Sequence, residues 1–274
     1  MNNNLKPINR SKLRLILGKV FYTAKRYKLW YFGEIKFAKP QNIKLLYQCF
    51  SHHTILLRDL KEVDMYLQYN KIENLKLAVK KLNKVVINPG ETFSYWKLIG
   101  KPTKRKGYLE GMVLYSGNVQ SGIGGGLCQL SNLIFWMTLH TPLTIVERYR
   151  HSFDVFPDSN RTQPFGSGAT CVYNYRDLMI RNDTSQPFQL LLKITDTHLV
   201  GSYHTSKPFE YHYEIYEKEH RMDREYWGGY SRHNVLYRKV YNNNSDLVDD
   251  EYLVENHALM MYQPFIEMNT TEQN

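Results

Sequence analysis

Apolar residues along this chain follow two rhythms, a helical one early and an alternating one late. Leu13, Ile16, Leu17, Val20, Phe21 and Ala24 recur at three- and four-residue steps, with Lys12, Lys19, Lys25, Arg26 and Lys28 mostly between them. This spacing predicts an amphipathic helix, followed by the aromatic cluster Trp30, Tyr31 and Phe32. After Pro40, His52–Leu60 reads as a short strand and turn, and Tyr66–Leu82 as a helix with Leu67, Leu75, Ala78, Val79 and Leu82 on one stripe. Val85–Ile87 reads as a buried strand stopped by Asn88-Pro89-Gly90, and Met112–Tyr115 as another strand. The glycine-rich loop Gly122–Gly126 leads into a helix over Cys128–His140, ended by Pro142. Leu143–Val146 then starts a strand that runs on toward His151.

From Ala169 the rhythm becomes strand-like: Ala169–Tyr173, Leu178–Arg181, Phe188–Ile194 and His198–Tyr203, with Asn182-Asp183 and Asp196-Thr197 as turns. Tyr-rich strand-like segments continue over 209–262. Helices early and strands late predict an α+β fold. It has a largely antiparallel sheet, a helix started by the glycine loop packed on it, and a basic amphipathic N-terminal helix. Four regions follow: a basic arm at 1–39, a strand–helix lead-in at 40–84, a core at 85–205, and a β-rich extension with an acidic end at 206–274.

Composition adds one thing to this picture. The chain has 274 residues, 42% hydrophobic and 23% charged, which fits a folded protein with a real core and excludes a disordered or fibrous chain. Its 36 Lys+Arg against 26 Asp+Glu give a net charge of +10. Residues 1–39 hold ten basic side chains and one acid, Glu34, whereas the last thirty residues hold seven acids and no Lys or Arg. The charge is therefore polarised along the chain. The basic head has two readings: a helix packing its apolar stripe on the main domain, or a helix lying on an anionic membrane surface. Arg14, Lys19, Lys25 and Lys28 interrupt any spanning run, and Arg14 and Lys19 break a signal-peptide core. The aromatics are not interleaved with a basic stripe, so no nucleic-acid partner is expected. Cys49, Cys128 and Cys171 are distant and odd in number. That predicts free thiols in a reducing compartment, hence a cytoplasmic protein, with peripheral placement at the inner membrane face.

One stretch carries candidate chemistry: Gly122-Ile123-Gly124-Gly125-Gly126-Leu127-Cys128-Gln129-Leu130-Ser131. A cysteine opening a helix gains from the helix dipole and the unpaired amides, which favour its thiolate. The amides around Gly126–Gln129 can receive a developing oxyanion. His151 lies 23 residues on, and in strand geometry Glu147, Tyr149 and His151 share a face. The bland alternative is a small buried cysteine packing a helix end. Cys49 and Cys171 read as core. There is no GxGxxG and no GK[ST], and His198, His204 and His212 lack ligand spacing, so neither a cofactor nor a metal is expected.

These residues resemble a known family. Gly124-Gly125-Gly126-Leu127-Cys128-Gln129-Leu130-Ser131 is similar to the GGGxCQxS signature of the VanW family. Pro89-Gly90-Glu91-Thr92-Phe93-Ser94 resembles its PGETFS element, and Gly107-Tyr108 its GY. Glu147-Arg148 with His151 resembles its ER..H element, and Asp177 through Arg181-Asn182 its D-x-x-x-R-N strand. The flanks Asn74–Ala78 and His140–Thr144 extend the similarity over most of the chain. The resemblance implies an association with cell-wall or glycopeptide-resistance biology, without a reaction. One departure stands out: the family's Asp-Ala-Thr is here Gly168-Ala169-Thr170, so Gly168 occupies the acidic position. If that acid orients a catalytic histidine, Asp154, Asp177 or Glu147 would have to replace it.

Three functions remain open at this point. The first is a cysteine-dependent acyl-transfer or amide-hydrolysing enzyme, with Cys128 as nucleophile, His151 as base and Glu147 supporting it. Gly124, Gly125, Gly126, Gln129, Ser131 and Arg148 would then line the substrate site. The second is a non-catalytic module binding a cell-wall peptide, its precursor or a glycopeptide. The third is a scaffold held on a membrane by residues 1–39. The sequence does not set the oligomeric state.

Overall fold

A computed structural model describes residues 11–57, 64–115, 118–155 and 162–263. The basic residues Lys6 and Arg10, the acidic Glu267 and Glu272, and the end of the expected His52–Leu60 strand lie outside the described residues.

Helix α1 (Lys12–Phe32) starts where the Ser11 side chain accepts a hydrogen bond from the Arg14 amide at 3.4 Å. Strands β1 (Lys39–Pro40) and β2 (Tyr47–Ile55) precede α2 (Met65–Leu82). Helix α2 buries Leu67, Leu75, Ala78 and Leu82 and places Lys80 and Lys81 in its last turn, where they complement the helix dipole. Then come β3 (Val85–Ile87), β4 (Thr92–Ser94), α3 (Tyr95–Ile99), β5 (Glu110–Tyr115) and β6 (Asn118–Ile123). Helix α4 (Cys128–Leu139) follows the glycine turn and is buried from Ser131 almost continuously to Leu139, Asn132 excepted. It is the central helix of the molecule, which is why its sequence shows a nearly unbroken apolar run. Strands β7 (Thr144–Glu147), β8 (Phe153–Asp154), β9 (Met179–Arg181), β10 (Phe188–Ile194), β11 (His198–Thr205), β12 (Tyr211–Arg224), β13 (Tyr230–Asn242) and β14 (Leu247–Met260) complete the fold.

The α+β expectation holds. A five-stranded antiparallel sheet in the order β1-β3-β10-β11-β2 carries α2 against β10 and α4 against β2 and β11. A three-stranded sheet β4-β9-β7 adjoins it, β5 and β6 form a hairpin, and β12-β13-β14 form a long antiparallel sheet edged by a parallel β8. Leu75, Leu82, Phe93, Tyr95, Leu130, Phe135, Phe188 and Tyr203 are among the fully buried side chains of one core.

Two strand expectations change. Ala169–Tyr173 is not a strand; it crosses the start of α4 as an irregular segment, with a single bridge between Val172 and Arg176. β7 stops at Glu147 after a register shift between Ile145 and Glu147, so His151 lies in irregular chain and the shared strand face of Glu147, Tyr149 and His151 does not form. Where it is described, the acidic end is a paired strand. β14 pairs with β13 so that Arg238 faces Glu251 and Lys239 faces Asp250, and Arg238 Nε meets Glu251 Oε2 at 2.5 Å. Charges segregated in sequence are neutralised across a ladder.

Candidate functional site

The glycine turn is shaped by its neighbours. At Gly125 a Cβ would lie 2.1 Å from the carbonyl carbon and oxygen of Gly111 on β5, so only glycine admits this approach of two backbones. Gly126 has φ +87°, and a Cβ there would lie 2.2 Å from the Lys71 side chain on α2; Gly124, at φ +75°, lies against Pro102. The three amides are already used: Gly124 N donates to Leu109 O (2.9 Å), Gly125 N to Gly122 O (3.0 Å) and Gly126 N to Met112 O (2.9 Å). Asn74, fully buried on α2, donates to the carbonyls of Gly125 and Leu109 (both 3.0 Å) and accepts from the Leu109 amide (2.8 Å). Asn74 is the residue that ties α2, β5 and the turn together. In the sequence it opens the Asn74–Ala78 flank of the resemblance and shares the helix stripe of Leu67, Leu75 and Ala78.

Cys128 opens α4 as expected and is half-buried there. Burial pushes its thiol above the ordinary value, offset in part by the nearby Cys171 backbone. Among the described residues no hydrogen bond joins Cys128 to His151. Burial, then the charges of Arg150 and Arg176, lower His151 to about 4, so its imidazole is neutral at neutral pH. The resting groups are therefore a thiol and a neutral ring, not a thiolate–imidazolium pair. Buried Cys171 shares this environment; burial raises its thiol well above the ordinary value, and Asp177 and Cys128 add to that. The Tyr95 hydroxyl closes the floor by donating to Leu127 O at 2.8 Å.

The remaining expected site residues are engaged in structural contacts. Glu147 accepts a bidentate pair from the Arg26 guanidinium of α1, 2.8 Å at Oε2 with a second short contact at Oε1, and also accepts from the Asp177 amide at 3.0 Å. Arg148 donates to the carbonyls of Gly168 (2.7 and 2.9 Å) and Gly166 (2.5 Å) and to Asn256 Oδ1 on β14 (2.8 Å); burial lowers it to about 10. Ser131, fully buried, donates to Ala169 O at 2.7 Å. Gln129 reaches across to Thr54 Oγ1 and Ile55 O on β2, both at 2.9 Å. Gly168 leaves room for Asn132, whose Oδ1 accepts from the Ala169 amide (2.8 Å) and would lie 2.7 Å from a Cβ at 168. Of the three candidate replacements for an acid there, Asp177 accepts from Ser94 Oγ (2.5 Å) and the Trp96 amide (2.9 Å), and burial lifts it to about 7. Asp154 accepts from the Tyr262 hydroxyl at 2.9 Å and lies 3.5 Å from Arg232. Glu147 is held by Arg26.

Within the turn and first turn of α4, the amides of Leu127 and Cys128 make no hydrogen bond among the described residues and are the donors that remain. Neither of two surface cavities touches Cys128 or His151: one is lined by Tyr211, His212 and Tyr241, the other by Lys36, Lys39 and Lys97. Among the described residues no group of three or more His, Cys, Asp or Glu is placed to hold a metal ion.

Comparison with known proteins adds to this geometry. A family model described as "VanW like protein" matches residues 70–204. The chain is 37% identical over 199 residues to the Vancomycin B-type resistance protein VanW of Enterococcus faecalis, covering 73% of this chain and 72% of that one. It is 32% identical over 124 residues to the uncharacterized protein YoaR of Bacillus subtilis, 45% of this chain and 39% of that one. No solved structure matches.

Proposed function

This chain belongs to the VanW family, linked to vancomycin resistance by the name of its relative, and we propose that it serves there as a non-catalytic accessory that binds a cell-wall precursor peptide or glycopeptide rather than cleaving one. One observation supports this reading: among the described residues Cys128, His151 and Glu147 do not form a hydrogen-bonded relay, and Glu147 is taken by Arg26. Burial also raises the Cys128 thiol. Nucleophilic catalysis needs a base within hydrogen-bond reach and a third group orienting that base. The GGGLCQLS run acts instead as a packing junction between α2, β5 and α4, which explains its glycines without chemistry.

A second reading rests on the unpaired amides of Leu127 and Cys128, which together with a neutral His151 and a half-buried Cys128 suit acyl transfer. A single experiment separates the two. Cys128→Ala is expressed in a vancomycin-resistant host lacking its own copy, and the purified proteins are incubated with cell-wall precursor peptides and followed by mass spectrometry. The proposal expects unchanged resistance and no product from either protein. Product formed by the wild type and lost in Cys128→Ala overturns it.

A further inference from the structure

Helix α1 meets the core by one side of its C-terminal half. Its buried residues are Arg26 and Trp30. Successive residues of an α-helix advance about 100° around the axis. On that spacing Leu13, Ile16, Leu17, Val20 and Phe21 form one stripe within about 80° of a common line, continued by Ala24; further along, the Tyr27 hydroxyl meets Tyr173 of the core at 2.8 Å. Arg26 and Trp30 lie about 120° round from it. The helix therefore docks by its side and turns its apolar stripe outward. Each of the five residues from Leu13 to Phe21 on the stripe is at least 60% exposed. Of the two sequence readings of the head, the packing stripe is not what forms.

Charge frames this face. Arg14, Lys25 and Lys28 flank the stripe on one side and Lys12 and Lys19 on the other, with no acid within α1. Beyond its C-terminal end, Lys97 Nζ lies 4.4 Å from the ring centroids of both Tyr31 and Phe37. It borders a cavity of about 600 Å³ that Lys36 and Lys39 also line, with Glu91 as its one acid. An exposed apolar stripe on a protein surface marks an interaction site. Among the described residues no helix is long and apolar enough to cross a membrane. A basic-flanked amphipathic helix of this kind lies in the plane of a bilayer surface.

We propose that the Leu13–Ala24 face of α1 docks on an anionic lipid bilayer, with the stripe seated among the acyl chains, the flanking lysines and Arg14 on headgroups, and the Lys36/Lys39/Lys97 notch against the same surface. Charge complementarity selects this occupant, because a basic rim around an apolar stripe matches negatively charged headgroups over hydrocarbon. The Arg26–Glu147 clamp then fixes how the core sits on the membrane. This docking does not depend on whether Cys128 reacts.

The test is co-sedimentation of the full chain with vesicles of phosphatidylcholine alone and of phosphatidylcholine mixed with phosphatidylglycerol. Binding is expected only to the anionic vesicles, weakening as salt is raised. Lys19→Gln with Lys25→Gln is expected to lower partitioning about thirtyfold, about 2 kcal/mol for two surface charges. Ile16→Asp with Val20→Asp is expected to lower it more than tenfold, whereas Tyr22→Asp, on the opposite side, leaves it unchanged. These positions are exposed, so circular dichroism should report an intact fold throughout. Failure of the wild type to sediment, or equal binding by the Ile16/Val20 variant, overturns the proposal. So does a dimer in sedimentation velocity that only the Ile16/Val20 variant breaks, since the occupant is then a second copy.

Discussion

Replacing Arg26 by Met should cost more than any other single change on α1. The guanidinium spans two parts of the molecule. It donates to both oxygens of Glu147, to the Asn174 carbonyl at 2.9 Å, and stands 4.0 Å from Asp177. Arg26 is 7% exposed, Glu147 19% and Asp177 fully buried. Methionine keeps much of the apolar stem but removes the positive charge, leaving two carboxylates and a carbonyl without it. Breaking a buried pair from one side costs about 3–5 kcal/mol, because the remaining charge stays desolvated. That is a large part of a typical domain stability of about 5–15 kcal/mol. Urea unfolding followed by tryptophan fluorescence measures it, and limited proteolysis reports whether α1 detaches. Glu147→Gln should cost less, and the double variant should show strong coupling in a mutant cycle. A loss below about 1 kcal/mol for Arg26→Met, with α1 still protected, would refute the view that this pair clamps α1 to the core.

Three further outcomes follow from the same packing. Gly125→Ala forces β5 away from the turn and should cost about 3 kcal/mol or more, read as a lowered urea midpoint. Gly168→Asp places a carboxylate against Asn132 and should destabilise by about 1–3 kcal/mol, with Asn132→Ala restoring part of the loss. His140 and His151, both lowered to about 4 chiefly by burial, charge near 6.5 when unfolded. Their contribution is complete above about pH 6.5 and is lost as pH falls through 4, by up to about 3 kcal/mol each. His140→Gln should flatten that acid slope in urea titrations between those values.

Local periodicity was the part of the fold most readable from residues alone. Val85–Ile87, Phe188–Ile194, the α2 stripe and the α4 run each carry their own burial pattern. What periodicity cannot see is where a strand ends for tertiary reasons. Ala169–Tyr173 alternates like a strand, but its backbone is taken by Ser131, Asn132 and Tyr149. Glu147 reads as a site member through a strand face shared with His151, and Glu147 and Arg148 through the resemblance to the ER..H element. Their partners, Arg26 and Asn256, are more than a hundred residues away in the chain, a pairing that single-sequence reading has no means to find. The glycine run was legible as special, yet backbone approach and catalytic cradling ask for the same residue. The stripe on α1 was visible, but which side of the helix meets the core is set by buried Arg26 and Trp30, with Tyr27 bonded to Tyr173.

The pH dependence of Cys128 alkylation in the folded protein tests the non-catalytic account most directly. Iodoacetamide labelling of the three cysteines is followed by mass spectrometry across neutral and alkaline pH. The account predicts that Cys128, half-buried where Cys171 is buried, labels slowly at neutral pH and gains in alkali, because burial raises its thiol. Rapid labelling of Cys128 near pH 7, lost on His151→Ala, would contradict it.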